Sequence, residues 1–328
     1  MRVEVVYPLV YGRLVLRMDP DWERDVEPAA VTPTGAIFDI PVEGHSATLK
    51  PCLVGDGVRW SVGPNYVLSA DDPDPQIYPF FEASGVGRVS GILPIEGPGG
   101  TFNIRVYLPP GYDENTLRRY PVLYMHDGKN LFFPEEAFAG DEWQVDETMN
   151  RLDEMNAIRK AIVVGVSPPD RTYAYTEPGL YDYGRFMAEV LKPRIDAELR
   201  TRPEPASTIV MGSSLGGVAS LHLAWQHPGV FGRCACLSST FGYRDDLFGR
   251  VARDPKPNIR IYLDSGWPRD NYDATNAMRD RLVARGFRLG EDLLHFSFPD
   301  GLHTERSWAL RAHVPFQYFL GRAWTARG

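Results

Sequence analysis

The chain has 328 residues, and at roughly 150 residues per domain this length predicts two domains and a large core. Hydrophobic residues make up 43% and charged residues 24%, the usage of ordinary globular proteins, which excludes a disordered chain. The formal net charge is −8 and no basic run is present, so we expect neither nucleic acid nor a membrane surface as a partner.

Targeting signals and disulfides are not expected from this sequence. Apolar runs such as residues 161–166 are far shorter than the ~20 residues that span a bilayer. The run 3–10 is interrupted by Glu4 and Pro8 and follows no basic region, unlike a signal peptide. The three cysteines, Cys52, Cys234 and Cys236, are an odd and sparse set, which predicts a reduced, cytoplasmic protein.

Residues 1–80 carry short β-rich runs separated by turns, which predict a small antiparallel sandwich. The segment 71–79 contains three prolines and predicts a semi-rigid linker. The expected strands are 13–18, 36–42, 47–54 and 59–63.

Residues 81–328 change to apolar runs with helical patterns between several of them. Because such runs are buried on both faces, the pattern predicts a doubly wound, mostly parallel α/β sheet, with its site at the carboxyl ends of the strands. The expected strands are 103–109, 121–127, 161–166, 207–212, 234–239, 259–266 and 294–300. The expected helices are 145–156, 183–199, 215–227 and 274–286.

The motif MGSSLGG, residues 211–217, contains Gly-x-Ser-x-Gly with Ser214 at its centre. It follows a strand and opens an amphipathic helix, the setting of a nucleophile elbow in which helix N–H groups face developing negative charge. Ser214 is therefore the candidate nucleophile and Ser213 the second choice. The alternative is a glycine-rich turn with two solvated serines.

A serine nucleophile needs a base and an orienting acid, which in such a fold follow it in the order acid, then histidine. His303 is the downstream histidine that follows the carboxyl end of an expected strand. We expect structural roles for the others, because they lie on the helix after the elbow, in a strand and in the last helix. They are His222, His227, His295 and His313.

Three aspartates compete for the role of the acid. Asp270 is favoured because it lies in the loop beyond the strand, from which a side chain can reach His303, and Asp273 is the third choice. Asp264 is still on the strand, where the pleat fixes its direction, and we expect it to cap or brace that loop.

An oxyanion hole requires two backbone N–H donors. We expect one from Leu215 and one from the loop HDGKN, residues 126–130, with Lys129 as the donor and Asp127 as a hydrogen-bonding support. A simple turn is the alternative for this loop. Aromatic residues expected near the strand ends predict an aromatic-rich pocket, and they are Trp143, Tyr173, Tyr175, Tyr181, Tyr183 and Trp267.

Five segments together resemble the "putative esterase" branch of the α/β-hydrolases. They are VYLPPGY (106–112), PVLYMHDGKNLF (121–132), GSSLGG (212–217), YLDSGWPRD (262–270) and GLHTERSW (301–308). This branch holds enterobactin-type trilactone esterases, feruloyl and acetyl-xylan esterases, formylglutathione hydrolases and mycolyltransferases. The resemblance spans about residues 83–323. It implies a triad of Ser214, Asp270 and His303, oxyanion donors Lys129 and Leu215, and a pocket mouth at 171–178 that includes Arg171.

The leading hypothesis is a serine carboxylic-ester hydrolase that acts through an acyl-enzyme, without a metal or an organic cofactor. Its partner would be a small-molecule or carbohydrate ester, such as a siderophore lactone, a feruloyl ester or an acetylated sugar. The oligomeric state is left open, with a homo-oligomer as one option. One alternative is an acyltransferase, which excludes water from deacylation. The other is a non-catalytic carbohydrate-binding protein that stacks Trp22, Trp60 and Tyr66 on sugars, although aromatic residues on short strands are more often core.

Overall fold

The computed structural model describes residues 1–8, 12–42, 44–72 and 75–321. Residues 73–74 of the expected linker and 322–328 at the end of the expected second domain lie outside the described residues. The described residues form two small sheets in the N-terminal part and one sheet of nine strands in the remainder.

The N-terminal part is a β-sandwich, as predicted. One sheet has the order β4-β5-β1-β9 and the other β3-β2-β6-β7, with β8 paired to β6. Facing side chains of the two sheets, such as Val5, Leu16, Phe38 and Leu49, form one fully buried core. The strands are β1 (Arg2–Val6), β2 (Arg13–Met18), β3 (Asp21–Val26), β4 (Ala30–Thr32), β5 (Gly35–Asp39), β6 (Ser46–Val54), β7 (Val58–Trp60), β8 (Tyr66–Ser69) and β9 (Gln76–Ile77).

Five of these strands were not predicted, and β3 shows why. Its sequence DWERDV is rich in charged residues and mostly exposed, so it carries little strand signal of its own. Pairing with β2 holds it in the sheet, and Asp25 receives ion pairs from Arg13 and Arg17 of that strand.

Two of the three aromatic residues of the sandwich, Trp22 and Trp60, correct the expectation that such residues are core. Trp60 is 37% exposed and lies 6.2 Å from the ring of the partly exposed Trp22, and the guanidinium of Arg17 stacks on Trp60. Tyr66 is partly buried and packs against the sandwich core.

The large sheet has the predicted doubly wound, mostly parallel architecture. Its order is β10-β12-β14-β13-β15-β16-β17-β18, with β11 also paired to β12. The six strands from β14 to β18 in this order are parallel, and β12 joins β14 antiparallel. The strands are β10 (Arg88–Val89), β11 (Leu93–Gly97), β12 (Gly100–Leu108), β13 (Val122–His126), β14 (Ile162–Ser167), β15 (Thr208–Ser213), β16 (Arg233–Leu237), β17 (Arg260–Trp267) and β18 (Leu293–Pro299).

Helices cover both faces of this sheet. Alternate strand residues point to opposite sides, so Leu123 and Met125 pack with α1, α8 and α9, while Tyr124 packs with the side that holds α2–α7. The helices are α1 (Val145–Glu154), α2 (Arg171–Tyr175), α3 (Gly179–Arg185), α4 (Lys192–Glu198), α5 (Leu215–Gln226), α6 (Leu247–Arg253), α7 (Tyr272–Ala284), α8 (Glu305–Arg311) and α9 (His313–Leu320). Among the described residues, none of the helices is both long and apolar enough to cross a bilayer.

One carboxylate joins the sandwich to the large-sheet part. Glu114 accepts backbone hydrogen bonds from Phe81 (2.6 Å), Glu82 (2.8 Å) and Ala83 (2.7 Å), and the hydroxyl of Tyr7 donates to it at 3.0 Å. Burial raises the pKa of Glu114, but these four donors outweigh burial and hold the pKa below its usual value. The carboxylate is therefore ionised at neutral pH and ties three consecutive N–H groups.

We expect Glu114→Ala to lower the free energy of unfolding by about 2 kcal/mol, because it leaves three N–H groups, two of them partly buried, without their acceptor. Urea unfolding measures this loss, and limited proteolysis should show faster cleavage between residues 70 and 85. Glu96→Ala is the matched control, since this exposed carboxylate bonds to the Thr101 side chain and ties no backbone N–H. Equal losses in the two variants would contradict the junction role.

Candidate active site

Ser214 lies at the turn between the end of β15 and the start of α5. Its backbone has φ 55° and ψ −122°, and a positive φ is uncommon for a residue with a side chain. The conformation is held by a 2.9 Å hydrogen bond from the Ser214 N–H to the carbonyl of Leu237 at the end of β16. Ser213 is the last residue of β15 and only 5% exposed, so it presents no reactive hydroxyl to solvent.

The glycines of MGSSLGG make this turn sterically possible. A Cβ on Gly212 would lie 2.7 Å from the backbone carbon of Gly216, and a Cβ on Gly217 would lie 2.0 Å from Oγ of Ser239. Real Cβ atoms do not approach other atoms so closely. The small residues of the motif therefore allow α5 to pack directly on the strand ends.

Ser214, His303 and Asp270 are brought together by three strand ends. Nε2 of His303 lies 3.0 Å from Oγ of Ser214, and Nδ1 lies 2.7 Å from Oδ1 of Asp270. An ionised carboxylate only accepts hydrogen bonds, so Nδ1 carries the imidazole proton and Nε2 is left to accept the Ser214 hydroxyl. This is the geometry in which a histidine can remove the serine proton.

The other two aspartates take different places. Asp264 is fully buried on β17, where it accepts a hydrogen bond from the hydroxyl of Tyr262 at 2.9 Å. Asp273 is exposed in the first turn of α7. Neither contacts His303 among the hydrogen bonds and ion pairs of the described residues, whereas Asp270, in the loop after β17, does.

The second oxygen of Asp270 is held by three further groups. Oδ2 accepts hydrogen bonds from Oγ of Ser238 at 2.6 Å and from the N–H of Gly266 at 2.8 Å, and Nη2 of Arg311 lies 3.2 Å away. Burial raises the pKa of Asp270, but these partners and His303 outweigh it and hold the pKa below the usual range. Asp270 is therefore a fixed, ionised carboxylate.

The remaining downstream histidines lie away from Ser214, as the sequence suggests. His222 is fully buried on α5, where burial lowers its pKa to about 3, and His295 is within β18. His227 follows α5, and His313 begins α9 and contacts the carbonyl of Leu310. No group of three or more His, Cys, Asp or Glu side chains in the described part of the chain is arranged to hold a metal ion.

The two expected oxyanion donors differ in their surroundings. The N–H of Leu215 is the first of α5 and has no partner within the helix. The N–H of Lys129 follows β13 in a 3-10 turn and donates to Oγ of Ser167 at 2.8 Å. The amide of Lys129 is therefore already engaged in this structure.

Asp127 and Arg171 form an ion pair beside this turn. Arg171 donates from Nε and Nη2 to the two oxygens of Asp127 at 2.8 and 3.0 Å, and its side chain is 40% exposed. The N–H of Asp127 donates to the hydroxyl of Tyr175 at 3.1 Å. Asp127 thus supports the loop that carries Lys129, and Arg171 is accessible from the surface.

Three residues expected in the pocket are buried. Tyr175 has no exposed surface and packs at tilted angles against Tyr183 and against His126, and burial lowers the pKa of His126 to about 3. Trp143 is 3% exposed and packs against Trp308. Because a buried side chain lines no open surface, this corrects the expectation for Trp143, Tyr175 and also Tyr183.

Three other aromatic residues of that group are accessible. Trp267 is 49% exposed at the end of β17, next to the loop of Asp270. Tyr173 is 38% exposed and donates to Asp182, and Tyr181 is 38% exposed and donates to Asp246. The accessible aromatic surface is therefore smaller than the sequence suggested.

Four site residues were missed by sequence reasoning: Ser167, Ser238, Trp308 and Arg311. Ser167 and Ser238 stand at or just after the ends of β14 and β16, so the rule that finds polar residues at strand ends could have identified both. Trp308 and Arg311 lie on α8, and nothing in the sequence distinguishes them from ordinary helix residues.

Residues 95–309 match the family model described as "Putative esterase". The chain belongs to this esterase family. It is a carboxylic ester hydrolase with an α/β-hydrolase fold.

Several relatives resemble this esterase over different shares of its length. The endo-1,4-beta-xylanase/feruloyl esterase of Xylanibacter ruminicola is 25% identical over 59% of this chain and 26% of its own length. A ferulic acid esterase structure has a TM-score of 0.60 at 17% identity and covers 72% of this chain and 98% of its own. The enterobactin esterase FES from Shigella flexneri has a TM-score of 0.58 at 14% identity and covers 94% of this chain and 88% of its own.

We expect Gly217→Ala in the esterase to be strongly destabilising, because its Cβ would collide with Ser239 at the elbow. Overpacking in such a site typically costs about 1–3 kcal/mol, and activity should fall with the displaced α5. Gly229→Ala is the matched control, since a Cβ there meets nothing within 4 Å. Thermal unfolding and ester hydrolysis of both variants test this, and similar behaviour of the two would contradict the close packing of the elbow.

Proposed function

We propose that this esterase works through an acyl-enzyme, with Ser214 as nucleophile, His303 as general base and Asp270 as the orienting acid. The observation that carries the proposal is the continuous hydrogen-bonded chain from Asp270 through His303 to Ser214, with distances of 2.7 and 3.0 Å. The strained backbone of Ser214 at the start of α5 supports the same role.

In the proposed reaction, Oγ of Ser214 attacks the ester carbonyl while its proton passes to Nε2 of His303. The imidazolium that forms is stabilised by the ionised Asp270, and it then gives the proton to the departing alcohol oxygen. In the second half of the reaction, Nε2 of His303 removes a proton from a water molecule, whose oxygen attacks the acyl carbon. The imidazolium then returns the proton to Oγ of Ser214 as the acyl bond breaks, which releases the carboxylic acid and restores the enzyme.

We propose Leu215 and Lys129 as the donors to the oxyanion. The N–H of Leu215 opens α5 and faces outward from the helix end, where it can meet negative charge. For Lys129 to contribute, its N–H must exchange the 2.8 Å hydrogen bond to Ser167 for one to the developing oxyanion. That exchange costs little where the new acceptor is charged, because charge-assisted hydrogen bonds are the stronger ones.

The proposed substrate is an ester that carries a phenolic ring. Named neighbours of this chain act on ferulic acid esters and enterobactin, and both compounds contain phenolic rings. Trp267 offers an exposed aromatic face near Asp270, and Arg171 offers a partly exposed guanidinium beside the loop of Lys129. Both groups suit a ring with hydroxyl substituents.

We also propose that residues 81–328 form the catalytic domain and 1–80 a separate sandwich domain. Every residue of the proposed mechanism comes from after residue 80. The sandwich has its own buried core, and the anchoring contacts of Glu114 are made with residues 81–83 at the proposed boundary.

Ser214→Ala should lower kcat on 4-nitrophenyl acetate by several orders of magnitude without unfolding the protein. What remains should be the part of catalysis that comes from the oxyanion hole and binding, about 10³–10⁴ over water. A fluorophosphonate should label Ser214 in the wild type, located by peptide mass spectrometry. Labelling at Ser213, or full turnover by the folded variant, would refute the assignment.

Asp270→Asn should reduce kcat by about 10⁴, because an amide in place of the carboxylate favours the wrong imidazole tautomer. Asp273→Asn is the matched control and should keep wild-type activity, since Asp273 is exposed and makes no hydrogen bond or ion pair with His303 among the described residues. In the wild type, kcat/KM should rise with pH through the range where free imidazole loses its proton, near about 6.5. A flat profile from pH 5 to 8 would count against a histidine base.

A substrate panel separates the ester classes. It compares feruloyl, catecholate-lactone, acetyl-sugar and short-chain esters by kcat/KM, and we expect the two phenolic classes to lead. Preference for acetyl sugars would overturn the proposed substrate class while leaving the triad intact. Transfer of the acyl group to an added alcohol in preference to water would identify an acyltransferase.

A further inference from the structure

A buried ion cluster lies on the side of Asp270 that faces away from His303. Nη2 of Arg311 is 3.2 Å from Oδ2 of Asp270 and 3.2 Å from Oδ1 of Asp264. The three side chains are nearly inaccessible, with exposures of 3% for Arg311, 1% for Asp270 and 0% for Asp264. Buried charges persist only where they are paired, so these three groups depend on one another.

Helix α8 brings this cluster and the base together. His303 stands just before Thr304, whose side chain caps α8, while Trp308 and Arg311 lie one turn apart on the same helix face. The ring of Trp308 meets the imidazole of His303 edge-on at 4.9 Å, and its Nε1 donates to Oγ of Ser238 at 3.0 Å. Oγ of Ser238 also accepts from Arg311 and donates to Asp270.

The positive charge of Arg311 disfavours an imidazolium at His303, and the carboxylate of Asp264 lies where it can balance that charge. A guanidinium fixes the carboxylate of Asp270, but its positive charge opposes the imidazolium that forms on the other oxygen of the same group. With Asp264 ionised, the cluster of Asp264, Arg311 and Asp270 keeps one net negative charge, as a lone carboxylate would. Without that charge, Asp270 and Arg311 would cancel.

The groups around Asp264 bear on its ionisation. Burial raises its pKa to about 7, and Asp270 acts in the same direction, while Arg311 and the hydroxyl of Tyr262 oppose this rise. The thiol of Cys236 is a further nearby titratable group, and Glu305 lies near His303. The charge balance should therefore be complete above neutral pH.

We propose that Arg311 is a positioning residue that holds Asp270 toward His303, and that Asp264 is the counter-charge that keeps this brace from weakening the base. The inference rests on the proposed triad. It concerns side chains that touch no substrate and act through Asp270 alone.

The test is a double-mutant cycle of wild type, Asp264→Asn, Arg311→Met and the double variant. Both kcat and KM on 4-nitrophenyl acetate are measured from pH 5 to 9. Asp264→Asn leaves Arg311 uncompensated, so kcat above neutral pH, where Asp264 is ionised in the wild type, should fall about tenfold with KM unchanged. The midpoint of the acidic limb should also move down, by less than the full charge effect, because Asp264 is only partly ionised in that range. The double variant should recover the wild-type midpoint, because it removes one charge of each sign. Its kcat should stay several-fold below that of the wild type, as in Arg311→Met alone, because Arg311 no longer holds Asp270.

Arg311→Lys provides a second route if Arg311→Met does not fold. It keeps the charge and should keep the midpoint, but the shorter lysine side chain ends before the position of Nη2, the one nitrogen that contacts both carboxylates, so kcat should fall several-fold. Asp196→Asn is the matched control for loss of a largely buried ion pair, here with Lys192 on α4, and should leave the midpoint unchanged.

The inference is overturned if Asp264→Asn has a wild-type midpoint and kcat, or if the midpoint of the double variant does not return toward the wild-type value. Failure of the proposed function gives a different result. If folded Ser214→Ala retains full activity, the proposed triad is wrong. If Ser214→Ala is inactive but Asp264→Asn behaves like the wild type, the triad stands and only the proposed charge balance is refuted.

Discussion

The carboxylate of Asp270 is the point at which the proposed active site is held together. It receives hydrogen bonds or ionic contacts from residues that follow β16 and β18, from β17 itself, and from α8. Because a buried carboxylate is costly without partners, folding of these four elements and ionisation of Asp270 support each other. The same contacts that stabilise the charge also aim one oxygen at His303.

One reason explains why the sequence predicts both the parallel sheet and the proposed nucleophile, base and acid. Most strands of this sheet are buried on both faces and are nearly continuous apolar runs, and each of the seven expected strands is present with ends within three residues. Their carboxyl ends meet at one edge. Polar residues just beyond them, such as Ser214, Asp270 and His303, could therefore be located without knowledge of the packing.

Features that depend on packing between distant segments could not be predicted from the sequence. Tyr175 and Trp143 look like pocket residues in sequence, but neighbouring helices bury them under the loop of Asp127 and beside Trp308. The hydrogen bond from Lys129 to Ser167 depends on the register of two strands. The short, charged strand β3 carries no pattern of its own and exists because β2 pairs with it.

Helix α8 places His303 at its beginning and Arg311 at its end. A small rigid displacement of this helix would carry the base and the clamp on the acid in the same direction. The separation between imidazole and carboxylate is then less sensitive to movements of the helix than it would be if the two were anchored on unrelated elements. In the proposed mechanism, the connectivity of one short helix would therefore keep the imidazole and the carboxylate together during such movements.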